Sequence, residues 1–138
     1  MKDIKSELRA FLENVEVKSV SLKEVSFKVS ELLEANENTE MEVKLKNKIP
    51  TEIQNEISIL YNFRENARLR RESINISISY ELVLRLKKPM DVKRSVLKAY
   101  AENSGLLLVY PYIRHQVDML IREAGYILPP LPHVLLKL

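Results

Sequence analysis

The chain contains no cysteine and no tryptophan. Without a thiol it can build neither a disulfide framework nor a thiolate nucleophile. Two glycines in 138 residues cannot supply a phosphate-cradling loop of the P-loop or dinucleotide type, which needs several close together. Histidine is almost as scarce, with His115 and His133 alone, and neither stands at a metal-ligand spacing. A zinc site needs three or four clustered ligands. His115 sits between Arg114 and Gln116 and reads as a solvated side chain. No nucleophile-elbow motif occurs, and Glu52 and Glu56, which could share a helix face, are an ordinary surface pair. Nothing here points to an enzyme, a metal or any other cofactor. No apolar run approaches the ~18 residues of a membrane span. The mixed charges of Met1–Glu7 do not resemble a secretory leader. A cytoplasmic protein without membrane insertion is expected.

What the chain does have is an ordinary soluble composition, 46% apolar and 30% charged, at a length that suits one domain. The net charge of +3 is unevenly spread. Residues 1–50 carry 9 Lys/Arg against 10 Asp/Glu, and residues 51–138 carry 13 against 9. Arg64, Arg68, Arg70 and Arg71 form one basic group; Arg85, Lys87, Lys88, Lys93 and Arg94 form another. Such groups can bind nucleic acid or steer acidic partners. A solvated turn and a solvated strand end are the commoner case, and nucleic acid is not the favoured partner.

The apolar pattern changes period along the chain. Ile4, Leu8, Phe11, Leu12 and Val15 keep helical spacing over 4–14. Alternation follows in Val15, Val17, then Val20, Leu22, then Val25, Phe27, Val29. Its phase slips twice, so either bulges re-aim the strand or only part of it pairs, with its core expected near 20–30. Ala35–Glu40 is polar and turn-like. Met41, Val43 and Leu45 mark a second strand, and Pro50 cannot continue its ladder. Ile57, Ile59, Tyr61 and Phe63 mark a third, with 64–72 expected as a charged turn. Ile74, Ile76, Ile78, Tyr80, Leu82, Leu84 and Leu86 alternate without a break, the pattern of a sheet covered on one face.

Two helices are expected next. One occupies 92–103, with Asp91 as cap and Val92, Val96, Leu97 and Tyr100 on one face. Asn103-Ser104-Gly105 breaks it. The other starts with Pro111 in its first turn, carries Val109, Ile113, Val117, Leu120, Ile121 and Ala124 on its apolar side, and stops at Gly125. An apolar, proline-rich tail then runs from Tyr126 to Leu138. One domain over 1–138 is expected: an N-terminal helix (1–14), a sheet (20–87), two helices (91–125) and the tail (126–138). Strands first and helices last imply an α+β fold, a four-stranded antiparallel sheet with helices on one face.

Five segments, taken in this order, resemble the SecB family of bacterial protein-export chaperones. Lys23-Glu24-Val25-Ser26-Phe27 is similar to the family's first strand. Glu42-Val43-Lys44-Leu45 resembles the start of its second. Val96-Leu97-Lys98-Ala99-Tyr100, followed by Tyr110-Pro111-Tyr112-Ile113-Arg114, looks like its helix ending and its Phe-Pro-Tyr-Ala-Arg. Leu128-Pro129-Pro130-Leu131 matches its proline-rich strip. The resemblance spans roughly residues 20–136 and implies an ATP-independent holdase that assembles as a dimer or dimer of dimers. Its partners would be unfolded client polypeptides held in hydrophobic grooves. By position, Phe27, Val43 and Leu45 would line a groove, with Tyr110 and Tyr112 at the helix start.

The departures from that pattern narrow the partners. The family's sheet surface is acidic and recruits the motor ATPase SecA, whereas this chain has a pI near 9.1, so SecA does not carry over. Ala101-Glu102 replaces the family's Cys-Pro, Pro132-His133 replaces its Asn-Phe, and its polar C-terminal extension is missing. Some relatives protect the antitoxin of a toxin–antitoxin pair, and a basic member fits that role as well as export. Two other readings stay open: a nucleic-acid module using the basic cluster at 64–71, and a structural oligomerisation protein on the same fold.

Overall fold

A computed structural model of the chain describes residues 4–30, 40–69 and 72–123. The elements run α1 (Ile4–Asn14), β1 (Val15–Ser30), β2 (Glu40–Lys48), β3 (Glu56–Leu69), β4 (Glu72–Leu86), α2 (Arg94–Glu102) and α3 (Ser104–Glu123). The strands form one antiparallel sheet in the order β1-β4-β3-β2. This is the expected α+β architecture, with the helices packed on one face.

Strand β4 explains why the sheet has that face. All seven members of its alternating set, Ile74 to Leu86, are buried. They stand opposite the buried set of β3, with Ile57 against Leu84, Ile59 against Leu82, Tyr61 against Tyr80 and Phe63 against Ile78. Each large apolar side chain removed from water contributes about 1.5–3 kcal/mol. Truncating one in the middle, such as Ile59→Ala, would cost about 2–5 kcal/mol.

The two phase slips of β1 are two bulges. The register shifts between Val17 and Ser19 and again between Leu22 and Glu24, so Lys18 and Lys23 are the extra residues. Each bulge returns the next apolar residue to the covered face. Pairing is not confined to 20–30, for Val15 already stands opposite Leu86. The reason lies at the end of α1, which runs straight into the strand. The Asn14 side chain donates to the Lys88 carbonyl at 2.8 Å and accepts from its N–H at 3.0 Å. The Asn14 main-chain carbonyl accepts from Lys87 N–H at 2.8 Å.

The expected turn at 64–72 is strand along most of its length. β3 continues to Leu69 and β4 begins at Glu72. Alternation explains this: Glu65 and Ala67 keep the buried face while Arg64, Asn66 and Arg68 take the exposed one. Glu52 and Glu56 share no helix, since Glu56 opens β3. Asp91 is not the cap of α2. Lys93 is, in an extended conformation with φ −73° and ψ 145° and without a side-chain hydrogen bond. Its carbonyl accepts from Val96 and Leu97 at 3.1 Å, while its Nζ meets Glu7 at 2.8 Å. The cation is thereby held by α1.

A single residue joins α2 to α3. Asn103, at φ −123° and ψ −87°, returns its Nδ2 to the Ala99 carbonyl at 2.7 Å and its main-chain N–H to the Tyr100 carbonyl at 3.2 Å. Pro111 therefore does not start a helix; α3 begins at Ser104 and Pro111 lies inside it. A proline within a helix costs ~3 kcal/mol or more. Burial of Gly105, Val109 and Tyr110 upstream of it opposes that cost and keeps the earlier turns helical. The expected cap at Gly125, the tail 126–138 and most of the polar stretch 35–40 lie outside the described residues.

Candidate functional site: two apolar strips beside α3

The helix-facing side of the sheet is mostly apolar on all four strands, with Asn47 and Glu65 as polar exceptions. In register, Leu22, Tyr80, Tyr61 and Asn47 form one row, Val25, Ile78, Phe63 and Leu45 the next, then Phe27, Ile76, Glu65 and Val43. The helices bury the central strands and leave the edges partly open. On β1, Val17 is 47% exposed, Leu22 41% and Val25 39%; on β2, Val43 is 40% exposed. Phe27 and Leu45 are half-buried against the core.

Helix α3 divides these edges. Towards β4, the Tyr112 ring lies 5.9 Å from that of Tyr80 at 45°, and Gln116 hydrogen-bonds to Tyr80. Towards β3, Tyr110 and Asp118 lie close enough to Glu65 to influence its ionisation or be influenced by it. Residues 112 and 116 share one flank of the helix; 110, 114 and 118 share the other. Burial pushes the phenols of Tyr80, Tyr100 and Tyr110 above their usual pKa, so all three stay protonated donors.

The five residues singled out in the sequence do not form one cluster. Phe27 lies on β1, with Tyr112, half exposed, on the flank of α3 that reaches Tyr80. Val43 and Leu45 lie on β2, at the opposite edge. Tyr110 is 2% exposed and belongs to the core. Leu22 and Val25 were not singled out, although their place in the β1 alternation puts them on the same face as Phe27. Glu65 was also missed. It is 1% exposed, neither carboxylate oxygen has a hydrogen-bond partner, and burial, with Asp118 adding to it, pushes its pKa up to about 7.

On the other side of the sheet the residues are polar. Lys28, Arg64, Asn66, Asn75 and Ser77 line a shallow depression of about 410 Å³ there. Among the described residues there is no group of three or more metal-ligating side chains, and no helix is long and apolar enough to cross a membrane.

The sequence matches no family model and no curated protein. A solved structure does match: the SecB-like chaperone Rv1957 of Mycobacterium tuberculosis, in complex with a ChAD peptide from the HigA1 antitoxin. The likeness covers 98% of this chain and 100% of that one, with a TM-score of 0.79 at 15% sequence identity. The chain has the SecB-like fold. At that identity the agreement lies in backbone architecture, and the SecB-like frame is carried here by largely different side chains. In this chain the frame leaves apolar strips open along β1 and β2, beside α3.

Proposed function

We propose that the protein is an ATP-independent holdase that keeps client polypeptides unfolded by holding extended segments along the strips on β1 and β2. The observation that carries this reading is the half-exposed apolar row on each edge strand, beside a helix that covers only the centre. Extended chains present alternate side chains at the spacing of such rows. Burial at ~25 cal/mol per Å² over a long segment gives affinity without a sequence code and without a catalytic group. Phe27, Leu22 and Val25 with Tyr112 would hold one part of the client, Val43 and Leu45 another. Tyr110 supports the helix from below.

The complex of the structural neighbour with an antitoxin peptide favours a dedicated client of that kind over general export, and the basic surface favours it over SecA coupling. Self-association as a dimer or dimer of dimers and a cytoplasmic setting belong to the same reading. The test is light scattering from a chemically unfolded protein diluted into buffer. Stoichiometric amounts of this protein should suppress aggregation; unchanged scattering would refute the holdase.

A second reading rests on the outer face of the sheet, where Arg64, Arg68, Lys28, Lys44, Lys46 and Lys48 are exposed. Nucleic acid bound there through phosphates would dissociate steeply with salt. Retention on DNA or RNA that is absent at low salt removes it.

A further inference from the structure

The outer face of the sheet is charged unevenly. On the half that carries the bulges, Lys18 pairs with Glu56 and Lys23 with Glu81. On the half nearer the β3–β4 hairpin, Lys44 pairs with Glu42 at 3.0 Å. Lys28, Lys46, Arg64 and Arg68 are exposed there, with no side-chain ion pair or hydrogen bond among the described residues. Glu24 is an unpaired acid at their margin. Register places Ser26, Ser77, Asn75 and Asn66 between Lys28 on β1 and Arg64 on β3. Short polar side chains ringed by long charged ones leave the depression of about 410 Å³. No aromatic side chain of the described strands alternates to this face; Phe27, Tyr61, Phe63 and Tyr80 all belong to the other.

We infer that this depression docks an extended acidic segment of a partner protein, with one carboxylate on Arg64 and another on Lys28. The Arg64 guanidinium can take a carboxylate through two parallel hydrogen bonds. The serines and asparagines of the floor offer hydroxyls and amides to the segment's main chain. Lys28 and Arg64 stand two strands and one pair of residues apart, roughly 12 Å at the backbone. Residues four apart in an extended segment are separated by about 13 Å, so acids at that spacing meet both cations. Nucleic acid fits this surface less well. Single strands lack an aromatic platform on which to stack, and an unbroken line of phosphates would run past Glu24. The segment lies opposite the apolar strips and leaves them open.

The test uses the full chain and two fluorescent serine- and threonine-rich peptides, one with glutamates four residues apart and one with glutamines instead. Affinity is read by anisotropy at low salt. The glutamate peptide should bind about tenfold more tightly than the glutamine one. Arg64→Gln should remove about tenfold of that affinity and Lys28→Gln about threefold. Arg64→Lys should restore only part, because it keeps the charge and loses the fork. Arg85→Gln, an exposed cation at the far end of the same face, should change nothing. Suppression of client aggregation should survive Arg64→Gln; its loss would make the outer face part of client holding and overturn the docking site. Absent or equal binding of the two peptides, or an equal loss with Arg85→Gln, overturns it while leaving the holdase standing. An oligonucleotide that binds more tightly than the glutamate peptide and is lost with Arg64→Gln overturns it in favour of nucleic acid. Binding that appears only when Glu31, Glu34 and Glu37 are replaced by glutamine overturns it in favour of the chain's own acidic connection.

Discussion

The phenol of Tyr61 donates a 2.7 Å hydrogen bond to the main-chain carbonyl of Ala101, linking the centre of β3 to the last turn of α2. The same hydroxyl occupies the space that a side chain at position 105 would need. Tyr100 presses on that space too, with its ring at 3.2 Å and its carbonyl at 3.3 Å. Gly105 is therefore required by close approach. Gly105→Ala should cost about 1–3 kcal/mol through overpacking, and Tyr61→Phe about 1 kcal/mol or more through the orphaned carbonyl. Because the clash is with the hydroxyl itself, the double variant should lose less than the sum. Urea denaturation of the four proteins measures the coupling; strict additivity would show that the two residues do not compete.

Glu65 makes stability depend on pH in a stated direction. Its folded pKa of about 7 lies above the 4.5 of an unperturbed glutamate, so the folded state holds a proton that the unfolded chain releases. Stability is then greatest below about pH 4.5, falls as pH rises to about 7, and is level beyond. Glu65→Leu should remove this slope and stabilise the protein at pH 8 by about 2–3 kcal/mol, with little gain at pH 4.5. Melting temperatures of both proteins across pH 4.5–8 decide it. Parallel curves would mean that Glu65 ionises freely.

Pro111 breaks the hydrogen bond that the Leu107 carbonyl would accept within α3. Both Leu107 and Pro111 face solvent, so no core contact depends on the ring. Pro111→Ala should raise stability by about 1–3 kcal/mol, seen as a higher urea midpoint with an unchanged slope. A lower midpoint would mean that the proline positions the helix.

Groove and core can be separated by substitution. Leu22→Ser, Val25→Ser and Val43→Ser change side chains about 40% exposed and should leave the fold intact. Each should weaken client holding, by about 1 kcal/mol or roughly fivefold. Tyr110→Ala should instead cost about 3–5 kcal/mol of stability. Client binding by anisotropy beside thermal melting gives both readouts. A Leu22→Ser, Val25→Ser, Val43→Ser triple variant that holds clients undiminished would place the binding surface elsewhere.

The strands were legible because alternation survives local irregularity: the two slips in β1 proved to be the bulges at Lys18 and Lys23, and β4 was visible from end to end. Charge misled the reading at 64–72. Six ionisable residues in nine positions look like a turn, yet Glu65 and Ala67 simply continue the buried phase of Ile57 to Phe63. Asp91 looked like a cap because it is acidic and well placed, but the Glu7–Lys93 contact comes from a residue 86 positions away in sequence. Pro111 looked like a first-turn proline because local rules put it there; burial of Val109 and Tyr110 against the sheet decided otherwise. The split of the candidate residues between two sheet edges followed from strand order, which no local pattern contains.

The lysine bulges have a consequence for the protein's own solubility. A sixteen-residue strand at the rim of a sheet, carrying an apolar side, is a template on which unfolded chains could stack into fibrils. Lys18 and Lys23 interrupt its hydrogen-bonding ladder at two points and place a cation at each, tied to Glu56 and Glu81 across the sheet. Broken and charged edges resist open-ended strand addition. A sticky segment can then be held by its side chains without seeding aggregation along the strand that holds it.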